Sequence, residues 1–492
     1  MGNICHTRQP GGARLAHGVM RDPEVIAAHL EDAAHYPGGH ASGVFYARSE
    51  ADVAGLLVSS ARVLAVGAQS SLTGGATPFG EVLLSTIRLN GILSIERSRI
   101  AVQAGATITD VQASLREQGA AFPPAPTFAG ASAGGSVATN AAGAATFKYG
   151  STRDWVEALT VVLACGEVLD LTRGACRADD NGFLIRTSTA TIRAPVPTYR
   201  MPDVAKRSAG YYAAPGMDLI DLFIGSEGTL GIVTQITFRT LSPAPATALA
   251  LVCCPAERIG LELVSELRRA SIETWRSRDI AGIDACAIEH MDDRSLALVR
   301  DHGDLDEMNV EVPEGTVVAL LVQLELPAGT TSTHAYDQIE SALLPAAPDT
   351  GLGRFCRLLD RCGLLDRTEL AAPGDVHRQQ QLVRFRECVP AHVNRLVGEA
   401  KRGLDPRIEK TAADMIVPFD RFAEMMDIYR RGFGHRGLAF AVWGHISDGN
   451  VHPNVIPRSF DDVVRGREAI LEFGREVARL GGCPLAEHGV GR

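Results

Sequence analysis

The stretch from residue 438 to 455 constrains this chain most. Leu438, Ala439, Phe440, Ala441, Val442 and Trp443 form an apolar run with no breaker, which predicts a strand. Ser447, Asp448, Gly449 and Asn450 are a dense turn signal. Residues 451–455 return as a second strand, with Pro453 restricting it to an edge or a distorted position. A four-residue loop sets Ile446 opposite Val451 and His445 opposite His452, with Cβ atoms roughly 4.5–5.5 Å apart. Two imidazoles so placed both reach one divalent ion at roughly 2.0–2.1 Å per bond. Asn454 looks onto the same face and can donate to a ligand there. Glu487 and His488, between Ala486 and Gly489, offer a third ligand. The competing reading makes these histidines hydrogen-bonded residues of a sheet. The pair, the turn and the later Glu-His together favour a metal.

Length and composition narrow the rest. A chain of 492 residues expects two to four domains and can bury a large core. With 22% charged and 46% hydrophobic residues it has the profile of a soluble globular protein. The net charge of −10, with no long basic run, argues against a nucleic-acid surface. The 50 glycines are clustered, which suggests backbone approaching a ligand. Ten cysteines without a CxxC pair argue against an iron–sulfur cluster or a four-cysteine zinc module. Their scatter fits a reducing compartment, hence the cytoplasm. No secretory signal is read, and no apolar run approaches the length of a membrane span.

Along the chain, residues 1–40 read as a loose N-terminal arm with one short helix near 23–30. Strands are expected at 62–66, 82–86, 91–96 and 99–104. Thr107 to Asp110 opens a helix that runs to Gln118 and stops at Gly119. Residues 156–164 and 168–171 form a hairpin, 172–215 are irregular, and 232–239 is a strand. Pro243-Ala244-Pro245 marks a domain boundary. Beyond it, strands near 249–254, 288–291 and 317–325 alternate with helices near 256–270 and 335–343. That is a ferredoxin-like or antiparallel sheet backed by helices. Residues 376–397 are helical but interrupted at Pro390, and further helices cover 419–431 and 461–480. The expected class is α+β. The expected domains are the arm 1–40, a cofactor domain 41–243, a cap domain 244–460 and a C-terminal return 461–492.

Three glycine-rich stretches need a common cause. Residues 67–75 follow a strand, and their backbone N–H groups can cradle phosphate as a nest. The P-loop and Rossmann fingerprints are both missing. Residues 123–151 are Gly, Ala, Ser, Thr and Pro with almost no charge. A linker rarely lacks charge, so ligand contact is favoured over a linker. The third stretch is 225–231.

These stretches, in order, resemble a known family. They are Gly67 to Gly75, Pro126-Thr127 with 134–143, and Lys148-Tyr149-Gly150. Gly225 to Thr234, Gly444-His445 to Asn454, and Glu487-His488-Gly489 follow. The resemblance is to FAD-linked oxidoreductases of the vanillyl-alcohol oxidase and p-cresol methylhydroxylase class. The branch is that of the D-lactate and D-2-hydroxyglutarate dehydrogenases and the glycolate oxidase flavin subunit, and it covers roughly residues 40 to 492. It implies a two-subdomain FAD-binding domain of the p-cresol methylhydroxylase (PCMH) type with a ferredoxin-like antiparallel cap. Gly67, Ala68, Gln69, Ser70, Ser71, Leu72, Gly74 and Gly75 would hold the FAD pyrophosphate. Pro126, Thr127, Gly134, Gly135, Ala138, Thr139, Asn140, Gly143, Tyr149 and Gly150 would wrap the flavin and ribityl chain, with Glu227, Gly228 and Gly231. Ile232 and Val233 would offer main-chain contacts. The first loop has no His, so FAD is expected without a covalent bond.

The resemblance also implies chemistry. A divalent ion, zinc or manganese, would sit on His445, His452 and Glu487, with an open position for a 2-hydroxy carboxylate. Ser447 stands where the family motif usually has Gly. His488 would be the general base, Arg386 would take the substrate carboxylate, and Lys410 would add a second cation. The implied reaction oxidises a lactate-like D-2-hydroxy acid to the keto acid by hydride transfer to flavin N5. Electrons would pass to a quinone, a cytochrome or an electron-transfer flavoprotein. Peripheral attachment to the inner membrane and a homodimer are compatible with this reading. Relatives continue beyond the Glu-His-Gly segment, so the sequence reads as truncated. One rival is an accessory FAD subunit without catalysis. Another is a flavin lyase of the ether-lipid type, against which the histidine hairpin and Glu487 speak.

Overall fold

Short β-type runs separated by turns give the first half of the chain its sheets. The computed structural model describes residues 2–12, 18–124, 126–180, 182–302 and 304–491. Residues 1 and 13–17 of the expected arm, 125 of the small-residue segment and 492 lie outside the described residues. The chain divides into two units. The first comprises Met1–Gly143, Tyr149–Pro243 and Leu485–Arg492, the second Ala144–Lys148 and Ala244–Pro484. Both mix helix and sheet, as the α+β reading expects.

In the first unit, Val82–Ser85 lies between Gly43–Tyr46 and Val63–Val66, and all three are parallel. The helix Glu50–Ser59, capped by Ser49, makes the crossover that parallel pairing requires. A five-stranded antiparallel sheet runs Ile92–Glu96, Arg99–Gln103, Ile232–Arg239, Val156–Val162 and Val168–Thr172. Ile100, Val102, Leu159, Val161, Ile236 and Phe238 bury one of its faces against Val111, Leu115 and Phe122. The helix Ile108–Arg116 starts where the sequence places it. Thr107 accepts from the Asp110 N–H at 3.1 Å, and Gly119 follows the helix at φ +62°.

Two readings fail here. Ile4–His6 of the supposedly loose arm pairs in parallel with Phe183–Arg186, which pairs antiparallel with Thr191–Ala194. Arg8 then binds Glu50 at 2.7 Å. Strands of three or four residues in polar sequence carry too few alternations to be read, and the partners lie some 180 residues apart.

In the second unit, Ala246–Cys254, Ala285–Met291, Val318–Leu326 and Thr368–Ala371 are four antiparallel strands. Their spatial order is fourth, first, third, second, which is the ferredoxin-like order. Phe440–His445, Asn450–Val455 and Met415–Ile416 extend this sheet to seven strands. The helices Glu257–Ser277, Gly351–Arg361, Phe422–His435 and Phe460–Arg479 share a core with one sheet face. Asp293–Asp301 and Val376–Gly403 cover the other. The expected break at Pro390 does not occur, for Val376–Gly403 is continuous. Proline removes one helical hydrogen bond, but Leu382, Phe385, Val389, Val393 and Val397 form a buried stripe that holds the helix to the sheet. Among the described residues no helix is long and apolar enough to cross a membrane.

The hairpin register also differs from the expected one. His445 pairs with Asn450 and Trp443 with His452. The turn is a 3-10 segment, Ile446–Asp448, closed by Gly449 at φ +87°. The register has moved by two residues, an even number, so His445, His452 and Asn454 still share one face. A Cβ on Gly449 would lie 2.2 Å from the Val417 carbonyl oxygen. Gly437, at φ +63°, has open space instead. Gly437→Ala should therefore cost about 1–2 kcal/mol of unfolding free energy, from left-handed strain alone. Gly449→Ala should cost measurably more in the same denaturant titration; equal costs would contradict this turn.

Candidate active site

In the first unit the three glycine-rich loops converge on one short helix, Ala133–Ala138, capped by Ser132. A Cβ on Gly67 would meet Ser132 Oγ at 2.1 Å, so the first loop lies directly on the cap. Gly134 packs on Ala104, whose carbonyl accepts its N–H at 2.7 Å. The Gly225 and Glu227 amides donate to the Val137 and Ala138 carbonyls, each at 2.9 Å. Part of the glycine content thus serves backbone packing. Gly231 is similar, since a Cβ there would meet Val161 at 2.7 Å, and Ile232 and Val233 pair with Val162 and Val161.

Each loop also holds a non-glycine residue in the left-handed region: Gln69 at φ 52°, Asn140 at φ 50° and Glu227 at φ 50°. Such conformations cost energy and cluster at ligand clamps. Gln69 Nε2 donates to the His29 carbonyl at 2.9 Å, bracing its loop. Ser71 Oγ accepts the Gly75 N–H at 3.2 Å, while Ala68, Ser70 and Leu72 complete that turn and Gly74 supplies φ +76°. Asn140 Oδ1 accepts the Arg153 N–H at 2.9 Å. Thr139 Oγ1 donates to the Gly135 carbonyl at 3.1 Å. Pro126 and Thr127 precede the short helix, and Gly143 closes the stretch. Tyr149 stacks edge-on against Trp155, and Gly150 follows at φ +74°. Among the described residues Ser136 Oγ is buried with no partner, and nothing stands within 4 Å of where a Gly228 Cβ would be. An orphaned hydroxyl and an open glycine beside three strained turns fit a large cofactor held by backbone groups.

Residues 485–491 also belong to the first unit. Ser208 binds them through its N–H to the Leu485 carbonyl at 3.0 Å and its Oγ to the Ala486 carbonyl at 2.9 Å. The Glu227 carboxylate accepts the N–H groups of Val490 at 2.7 Å and Gly491 at 3.1 Å. Glu487 is buried with Lys206 Nζ at 2.9 Å. His488, partly exposed, lies 3.6 Å from its neighbour's carboxylate.

The second unit holds a buried polar cluster on the sheet face covered by Val376–Gly403. His445 Nδ1 lies 2.7 Å from Glu289 Oε1, and Arg386 Nε donates to Glu289 Oε2 at 2.9 Å. Burial alone would raise the Glu289 carboxyl; Arg386 and His445 outweigh it and hold the group well below the usual carboxylate range. His452 Nδ1 stands 3.3 Å from Asp414 Oδ1 without a hydrogen bond to it. Asn450 Nδ2 donates to the same Asp414 oxygen at 2.9 Å. The two imidazoles meet edge to face, with centroids 5.4 Å apart. Asn454 Nδ2 donates to the His452 carbonyl at 2.9 Å. Its Oδ1 is buried with no partner among the described residues. His290, next to Glu289, points to the opposite face, and burial lowers it to about 4. Lys410 is half-buried, and desolvation lowers it to about 8.

The structure thus gathers His445, His452, Asn454 and Arg386 in the second unit. Glu487, His488 and the three loops fall in the first. Glu289, Asp414, Lys206 and Ser208 are not among the site residues expected from the sequence. A lone acid inside the apolar run 285–291 was a usable signal for Glu289. Nothing in the irregular segment around Lys206 was.

Two known domains account for most of the sequence. Residues 41–172 match the FAD binding domain, and 264–492 match the C-terminal domain of FAD linked oxidases. The chain belongs to the FAD-linked oxidoreductases and is a flavin enzyme. Within that class it is 29% identical over 439 residues to D-2-hydroxyglutarate dehydrogenase of Xanthomonas citri pv. viticola, covering 87% of this chain and 76% of that protein. It is 28% identical over 484 residues to the mitochondrial D-2-hydroxyglutarate dehydrogenase of Bos taurus, covering 96% and 74%. A shorter match, 36% over 189 residues, is to D-lactate dehydrogenase of Anaerostipes hadrus, covering 38% of this chain and 32% of that protein. Among solved structures, alkyldihydroxyacetonephosphate synthase superposes with a TM-score of 0.59 at 13% identity, covering 97% of this chain and 82% of that one. At that identity the likeness is one of fold.

Arg386→Met tests the buried cluster. It leaves the Glu289 carboxylate without its guanidinium, and breaking a buried pair costs ~3–5 kcal/mol. Denaturant unfolding should show that loss in Arg386→Met and a near-wild-type midpoint in Arg384→Met. Arg384 is exposed and 3.3 Å from Glu307. Equal effects would contradict the assignment.

Proposed function

We propose that this chain oxidises a D-2-hydroxy acid, lactate-like or 2-hydroxyglutarate-like, to its 2-keto acid with FAD and a divalent metal ion. The carrying observation is that His445 and His452 each turn Nδ1 toward a buried carboxylate. A metal-binding imidazole usually donates its second nitrogen to such a partner, which fixes ring and tautomer. Glu289 fills that role for His445, and Asp414 stands 3.3 Å from His452 Nδ1 on the corresponding side of that ring, so Nε2 is the nitrogen each ring would offer a cation. Zinc or manganese suits this nitrogen and oxygen set. Glu487 is assigned as third ligand on sequence alone, since it belongs to the first unit.

When bound, FAD supplies the electron acceptor and the cation a Lewis acid. The chain's own groups bind and orient. Arg386 spends Nε on Glu289 and keeps its Nη donors for a substrate carboxylate. Lys410, with burial lowering it, is the second cation. Asn454 Oδ1 accepts a hydrogen bond from the ligand. His488 takes the hydroxyl proton. Residues 41–243 hold the cofactor without a covalent bond, 244–460 supply the substrate and metal groups, and 461–492 return. The sequence carries no Rossmann fingerprint and no CxxC pair. We therefore assign the onward electrons to a quinone, a cytochrome or an electron-transfer flavoprotein, met in the cytoplasm or at the inner membrane's edge.

Acid precipitation should release the yellow colour into the supernatant; colour kept in the pellet would refute non-covalent binding. His452→Ala should retain FAD and lose at least ~10²-fold in the rate of flavin reduction by D-lactate or D-2-hydroxyglutarate, as loss of a group stabilising developing charge does. A wild-type rate in that variant would remove the metal from the reaction.

A further inference from the structure

Lys206 is the least expected residue of the first unit. It is 0% exposed, in a segment with neither helix nor strand. Lysine is almost never fully buried unless paired, because its ammonium loses all hydration. Its Nζ lies 2.9 Å from Glu487 Oε2. At that distance the two buried groups form an ion pair.

Lys206 and Ser208 are two residues apart, and both face the segment that carries Glu487. Ser208 fixes Leu485 and Ala486, while Glu227 fixes Val490 and Gly491. The backbone on either side of Glu487 is thus pinned, and Lys206 fixes the carboxylate itself. A pair serving stability alone would be a poor use of buried charge, since apolar side chains of similar volume often do as well.

We propose that Lys206 is a positioning residue: its ammonium balances and orients the Glu487 carboxylate so that it stands ready for a divalent cation. The proposal rests on the reading of Glu487 as a metal ligand given above. Two effects oppose each other. Removing a positive charge from beside a dication would by itself tighten metal binding. Losing the group that orients a ligand weakens it, typically 10–100-fold. The proposal commits to the second.

The test uses full-length, FAD-loaded protein as wild type, Lys206→Met, Glu487→Gln and the double variant. Mn2+ is titrated in, and the free ion is followed by electron paramagnetic resonance. Lys206→Met should keep its flavin and raise the Mn2+ dissociation constant at least ~10-fold. Unchanged or tighter binding overturns the proposal and leaves the metal reading intact. If wild type binds no Mn2+, the metal reading fails and takes the proposal with it. Melting supplies the second readout. Lys206→Met should lower the midpoint while keeping its flavin, and adding Glu487→Gln should recover part of the loss. A purely additive double variant contradicts the pairing.

Discussion

The second unit is organised around one buried carboxylate. Glu289 sits in a strand whose neighbours are all buried, and it survives there because Arg386 and His445 both reach it. A lone carboxylate in that position would lose several kcal/mol of hydration. The three groups come from three elements: a central strand, the long helix and the hairpin. Satisfying the charge therefore fixes the helix against the sheet and the ring of His445 within the face. The continuity of Val376–Gly403 through Pro390 belongs to the same arrangement. The buried stripe that holds the helix in place also delivers Arg386 one residue after Phe385.

The cofactor domain solves a different problem. It must bring polar backbone close to a ligand without leaving N–H groups unpaired. The loops rest on one capped helix of small residues, and the third shares its Gly225 and Glu227 amides with the helix's last carbonyls. Each loop holds one non-glycine residue in the left-handed region: Gln69, Asn140 and Glu227. Glu227 also uses its carboxylate to hold the segment after Glu487, so cofactor loop and C-terminal segment are one hydrogen-bonded set.

Much of this was readable beforehand, and the failures have causes. The histidine face survived a wrong register because the error was even. A shift of one residue would have turned His445 away from Asn454. The glycine stretches were found by composition, yet composition cannot separate Gly134, packed on Ala104, from Gly228, which faces open space. Arg386 could be named but not distinguished physically from Arg384, because only burial by the sheet separates them. Asp414 and Lys206 stayed hidden because their meaning lies in partners 38 and 281 residues away. No local pattern encodes such pairings.

The central claim is that carboxylate-held imidazoles, together with a cation, make a hydroxy acid reactive toward the flavin. Anaerobic flavin bleaching tests it most directly, comparing D- and L-isomers of lactate and 2-hydroxyglutarate before and after chelation. The account predicts bleaching by a D-isomer only, its loss on chelation and its return with Zn2+ or Mn2+. Bleaching at an undiminished rate in thoroughly chelated protein would contradict it.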